Sequence, residues 1–183
     1  MELSRTALLI MDVQEGIVER FDAGELLERL ARAADTARRS GMRVIYVQVG
    51  FRAGYPEISR RNATFSALSS SDAFSGEPRI AAAVAPHDDD VVVTKRRVSA
   101  FAGSDLEVVL RAGEISSLVL SGIATSGVVL STLRQAADLD FELTVLADAC
   151  ADGDEEVHRV LTEKVFPRQA QVLSVADWID SLA

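Results

Sequence analysis

The chain has 183 residues and a mass of 19.7 kDa, with 48% hydrophobic and 26% charged residues. That is the size and mix of one globular domain, large enough to bury a core without a disulfide or structural metal. The 28 acids against 19 bases, a net charge of −9, argue against a phosphate-backbone binder, which would need a basic face, so no nucleic-acid partner is expected.

Taken in chain order, short apolar runs predict strands at Ala7–Met11, Val44–Val49, Val91–Thr94, Leu118–Leu120 and Leu143–Leu146, with a weaker one at Gln171–Leu173. The first run is too short for a signal peptide or a membrane span. Runs without a polar alternation suit strands buried on both faces, as in a parallel sheet. Between them, Glu25–Arg39 places Leu26, Leu27, Leu30, Ala33, Ala34 and Ala37 at helical spacing, and Ser40-Gly41 follows as a stop. Leu106–Arg111, Ser126–Leu139, Glu155–Phe166 and Ala176–Leu182 read as further helices, with Asp154 as an N-cap. Phe51–Pro78 breaks the rhythm with Gly54, Pro56, Asn62, Gly76 and several serines. So long a connection is expected to act as a lid or an interface loop. Asp88-Asp89-Asp90 reads as a solvated loop before a strand.

Strand alternating with helix predicts an α/β fold with a mostly parallel sheet and helices on both faces. Ligands of such sheets bind beyond the carboxyl ends of the strands. The first run leads into Asp12 and Gln14, the third into Lys95, and the fourth into Gly122-Ile123-Ala124-Thr125-Ser126-Gly127 before a helix. Each has a plainer reading: a turn cap, a surface lysine, a simple junction capped by Ser126. Their combination argues otherwise, because charges placed directly after buried strands persist when paired.

The segments ALLIMDVQEGI (7–17), VVTKRRVSAFAGSDLEVVLRAGEI (92–115), LVLSGIATSGVVLSTLRQAADLDFELTVLADACAD (118–152) and HRVLTEKVF (158–166) resemble the isochorismatase-like hydrolases. Lys95, Ser99, Ala100 and Phe101, together with the Gly-Ile-Ala-Thr turn, carry the resemblance. It implies one domain over residues 1–183, a three-layer, Rossmann-like α/β/α fold with a six-stranded sheet, and a cis peptide before Ala124. In relatives that use a cysteine, the residue at Asp12 is the general base and the residue at Lys95 stabilises charge. A cysteine follows the turn as nucleophile, and backbone N–H groups of the turn form the oxyanion hole.

Here the residue at the cysteine position is Val128, which has no nucleophilic atom, so a covalent thioester route is closed. Cys150, the one cysteine, reads as a small buried thiol. Ser131 should point along its helix, and neither histidine is well placed for a Ser-His pair, His87 preceding the third strand and His158 falling in a late amphipathic helix. The end of the second strand, Gln48 to Arg52, holds no acid and no histidine, so no metal and no other cofactor is expected.

The expectation is therefore a cytoplasmic hydrolase of a small metabolite working without cysteine. Asp12 would transfer the proton and Lys95 would be its electrostatic partner. The resemblance supplies the precedent of isochorismatases, in which an aspartate protonates a vinyl ether, and it favours that chemistry. Gln14, Phe51, Arg52, Phe101, Ile123, Ala124, Ser126, Gly127 and Val128 are candidate substrate contacts, with Arg52 available to a carboxylate. The alternatives are an inactive binding or scaffolding homologue, and an amidohydrolase whose Asp12 activates water. No membrane partner is expected, and the long loop makes a homo-oligomer the expectation.

Overall fold

A single six-stranded sheet runs in the order β3-β2-β1-β4-β5-β6, with every neighbouring pair parallel, in a computed structural model that describes residues 2–21, 23–69 and 76–182. The strands are β1 Thr6–Met11, β2 Arg43–Val49, β3 Val91–Lys95, β4 Ser117–Ile123, β5 Glu142–Ala151 and β6 Gln171–Leu173. Alternation along β1 explains the two cores. Ala7, Leu9 and Met11 join a cluster with Leu106, Leu110, Leu133 and Ala136, while Leu8 and Ile10 join one with Leu30, Ala33, Ala37 and Trp178.

Helices cover both faces. On the first lie α4 (Leu106–Ala112) and α5 (Leu130–Asp138); on the second lie α2 (Gly24–Arg39) and α7 (Val175–Asp180). Leu26, Leu30, Ala33, Ala34 and Ala37 of α2 are buried, whereas Leu27, at the edge of that face, is only half-buried; each fully buried leucine is worth roughly 1.5–3 kcal/mol. The helix ends where Gly41 takes a positive φ of 75° and Met42 N–H donates to Ala37 O.

The structure departs from the expected elements at four places. The Phe51–Pro78 segment contains a short helix, α3 (Ala63–Ser69); Asn62 Oδ1 accepts from Phe65 N–H, and the Phe65 ring is buried against Phe51. Residues 70–75 of the expected lid lie outside the described residues. A one-turn helix, α1 (Glu15–Val18), follows β1. The helix expected from Ser126 starts as a π-helical turn at Thr125–Val129, and no side chain caps it. Helix α6 (Glu155–Val160), capped by Asp154 as expected, runs on into a second π-helical turn at Leu161–Val165.

The chain reverses its order at β1, which pairs with β2 on one side and β4 on the other. The carboxyl ends of β1 and β4 therefore meet at a topological switch point. β1 and β4 stay in register to their ends, where Met11 stands opposite Gly122. Gly122 has φ 126°, and a Cβ would stand 2.0 Å from the carbonyl oxygen of Met11. Only glycine lets β4 approach the exit of β1 this closely.

Candidate active site at the sheet switch point

Asp12 is the first residue beyond β1. It sits at φ 56°, a region where aspartate is enriched among non-glycine residues, and its N–H donates to Val47 O at 2.7 Å. The turn directs its carboxylate toward Lys95, which comes from the far side of β2 on the edge strand β3. Lys95 Nζ lies 2.9 Å from Asp12 Oδ2, with the two side chains 2% and 10% exposed. The same ammonium donates to Arg97 O at 2.9 Å. The other carboxylate oxygen, Oδ1, is buried and has no hydrogen-bond partner among the described residues.

Two effects oppose each other on this carboxyl group. Burial disfavours the charged form, whereas the Lys95 charge and hydrogen bond favour it. Burial is the larger, and Asp12 is pushed up to about 6. Such a group is mostly ionised at neutral pH yet can still be protonated, so it suits either direction of proton transfer.

The remaining candidates are placed unevenly. Gln14 does not reach Asp12: its Nε2 donates to Val49 O at 3.1 Å and its Oε1 accepts from Val49 N–H at 2.8 Å, clamping the end of β2. It lines a cleft of about 260 Å³ with Glu15, Ile17, Gly50, Pro78 and Arg79. Phe51 is half-buried, edge-on to Tyr55 and Phe65. The Arg52 side chain is 71% exposed and its charge is met by Glu57 at 2.7 Å, which removes the reason to assign it a substrate carboxylate. Phe101 is a core residue whose ring packs on Phe141 with centroids 6.2 Å apart, not an open pocket wall.

The turn after β4 begins with a cis peptide between Ile123 and Ala124. Ile123 is buried, Ala124 and Gly127 are half-buried, and Ser126 is exposed. Ser126 N–H donates to Asp152 Oδ2 at 2.6 Å and Gly127 N–H to Ala124 O at 3.1 Å, so those two donors of the turn are already engaged. Val128 is 2% exposed and belongs to the apolar cluster that includes Val93, Phe101 and Leu120. The position that would carry a nucleophile is thus filled as core.

Three placements were not foreseen from the sequence. Thr125 Oγ1 and His158 Nδ1 share a 2.8 Å hydrogen bond that ties the start of the turn to α6. Asp152 fastens the next residue. Arg97, two residues past Lys95, directs its guanidinium to backbone carbonyls rather than to an acid. Adjacency to Lys95 was a signal for Arg97. Nothing local signals a contact between residues 33 positions apart.

Cys150 lies within β5, opposite Gly122 in the register, not beyond the strand end. It is 6% exposed, and burial pushes its thiol up to about 12. A group so rarely ionised is a poor nucleophile at neutral pH. We expect a disulfide reagent such as dithionitrobenzoate to leave the native thiol untouched over minutes and to titrate it fully in guanidinium. Rapid native labelling would show an accessible, activated cysteine instead.

Among the described residues, no group of three or more His, Cys, Asp or Glu side chains is placed to hold a metal ion, and no helix is long and apolar enough to cross a membrane.

A three-layer α/β/α sheet with a buried carboxylate–ammonium pair beside a glycine-bracketed turn defines a structural class. Residues 6–177 match the family model described as the isochorismatase domain, and the chain belongs to that family, whose members are hydrolases acting on small molecules. It is 36% identical to the isochorismatase family protein YecD of Escherichia coli O157:H7, covering 97% of this chain and 96% of that one. It is 29% identical to the ureidoacrylate amidohydrolase RutB of Stutzerimonas stutzeri, over 100% of this chain and 82% of the relative. Among solved structures it resembles an isochorismatase family protein from Burkholderia thailandensis, with a TM-score of 0.84, 28% identity, and coverage of 98% of this chain and 96% of that one.

Proposed function

We propose that the protein hydrolyses a small metabolite without a covalent thiol intermediate, with Asp12 as the group that moves the proton and Lys95 as its electrostatic partner. The observation that carries this reading is the buried Asp12–Lys95 pair, with Oδ1 of Asp12 left without a partner among the described residues. A buried carboxylate oxygen without a donor is costly, and a reacting group or an attacking water held there would remove that cost. Val128 excludes the nucleophile that a thioester route needs, and Cys150 is too deeply protonated to replace it.

Hydrolysis of a vinyl ether is the first reading of the chemistry. Protonated Asp12 gives its proton to the enol-ether carbon, and water then adds to the oxocarbenium ion. With a pKa of about 6, roughly a tenth of the groups carry that proton at pH 7. Direct activation of water toward an amide is the second reading, favoured by the unfilled Oδ1 acceptor and by the amidohydrolase among the relatives. Lys95 balances the carboxylate charge in both.

A screen of small vinyl ethers, ureido acids and amides tests the proposal, and the pH profile separates the two chemistries. If Asp12 acts as the acid, kcat/KM is level below about pH 6 and falls tenfold per unit above it. If it acts as the base, kcat/KM rises through the same region and levels off above. A substrate hydrolysed with neither limb near pH 6 would remove Asp12 from the chemical step. Ligand binding without any turnover across the screen would favour a binding homologue.

A further inference from the structure

We propose that Arg97 forms an anion subsite beside the Asp12–Lys95 pair, so that the substrate carries a carboxylate; the inference rests on the hydrolase reading above for the identity of the neighbouring reactive group. Arg97 is half-buried. Its Nη1 donates to Arg96 O at 2.6 Å and its Nη2 to Glu57 O at 2.8 Å. Both acceptors are backbone carbonyls, which orient a guanidinium but do not neutralise it. No carboxylate among the described residues lies within ion-pair distance of it, although the chain as a whole carries nine more acids than bases. A guanidinium has five N–H donors in one plane, so two engaged donors leave three, enough for a two-point contact with a carboxylate.

The surroundings sharpen the argument. Glu57, the acid nearest by connection, is already shared by Arg52 at 2.7 Å and Arg96 at 3.4 Å. Lys95 is already matched by Asp12. The connected network therefore holds Arg52, Arg96, Arg97 and Lys95 against only Glu57 and Asp12. Glu77, across a neighbouring cleft from Arg96, offsets part of that surplus. Within the network, Arg97 is the one cation with no acid of its own. Its backbone carbonyl accepts from Lys95 Nζ, which puts residue 97 next to the reactive pair and its side chain within reach of the same rim. A half-buried charge persists when something pairs it. A carboxylate on the substrate would do so in the neighbourhood of the Asp12–Lys95 pair. Arg52, the arginine that sequence position favours for this role, is mostly in solvent and already neutralised.

The test uses matched pairs of probes: ureidoacetate with ureidoacetamide, and β-methoxyacrylate with β-methoxyacrylamide. Affinity is measured by ligand-detected NMR on the wild-type protein and on Asp12→Asn, and turnover on the wild type. The carboxylate member of each pair is expected to bind about 10- to 100-fold tighter than its neutral partner. That ratio should fall toward one in Arg97→Gln, survive in part in Arg97→Lys, and remain in Arg52→Gln. In the wild type, added sodium chloride should weaken only the carboxylate members, a reading that needs no variant to fold. Equal affinities within the pairs, no detectable carboxylate binding at millimolar concentration, or a preference that survives Arg97→Gln would each overturn the proposal. The two readings fail separately. A charge preference without turnover leaves the subsite standing and removes the hydrolase; turnover without a charge preference does the reverse.

Discussion

Asp12→Asn should lower kcat/KM by about 10²–10⁴-fold, the usual worth of a positioned general acid or base. Asparagine keeps the shape of the side chain and an acceptor for Lys95, but it neither gives nor takes a proton near neutral pH. Ligand affinity should therefore persist while turnover collapses, and the pH limb near 6 should vanish with it. Steady-state kinetics beside direct binding measurements separate these quantities. Full activity in Asp12→Asn, or activity that disappears on alkylation of Cys150, would place the chemistry elsewhere.

Lys95→Met should cost about 3–5 kcal/mol of stability at pH 7, because it leaves a buried carboxylate without its counter-charge. The loss should depend on pH in a definite direction. Burial raises Asp12 from the ordinary 3.8 to about 6, so between those values the folded chain holds a proton that the unfolded chain has released. The stability linked to that proton is fully present below about 3.8 and is lost as pH rises through 6. Without Lys95, which pulls the value down, the folded pKa climbs further and the window extends upward. Urea unfolding of the variant should accordingly show a large deficit at pH 7 and a smaller one at pH 5. A deficit that grows on acidification would mean that Asp12 is not the group left unpaired. Because the variant also loses the donor to Arg97 O, a residual cost should remain at pH 5.

The location of the pair at the sheet rim was legible from residue order, since Asp12 and Lys95 each border an apolar run that forms a buried strand. Val128 was legible too, because a hydrocarbon side chain cannot attack a carbonyl wherever it is placed. Gln14 and Arg52 each find a partner that residue order does not announce: Gln14 holds the Val49 backbone at the wall of a cleft, and Glu57 meets the charge of Arg52. Which partner a long polar side chain finds is decided by distances of a few ångströms that residue order does not encode. Phe101 shows the same limit for an apolar group, since a ring beside the site motif faced the Phe141 core instead of the rim.

By itself the sequence determined the strand and helix alternation, the parallel sheet, the rim that carries the charged residues, and the absence of a nucleophile at position 128. These follow from local pattern: apolar runs, helical periodicity and side-chain chemistry act over a few neighbouring residues. The tertiary structure alone decided that Lys95 reaches across β2 to Asp12 and that His158 holds Thr125. It also decided that Arg97 is left without an acid and that burial outweighs Lys95 in raising Asp12 to about 6. The physical reason is that desolvation and charge pairing depend on every element packed around a group, and those elements come from distant parts of the chain.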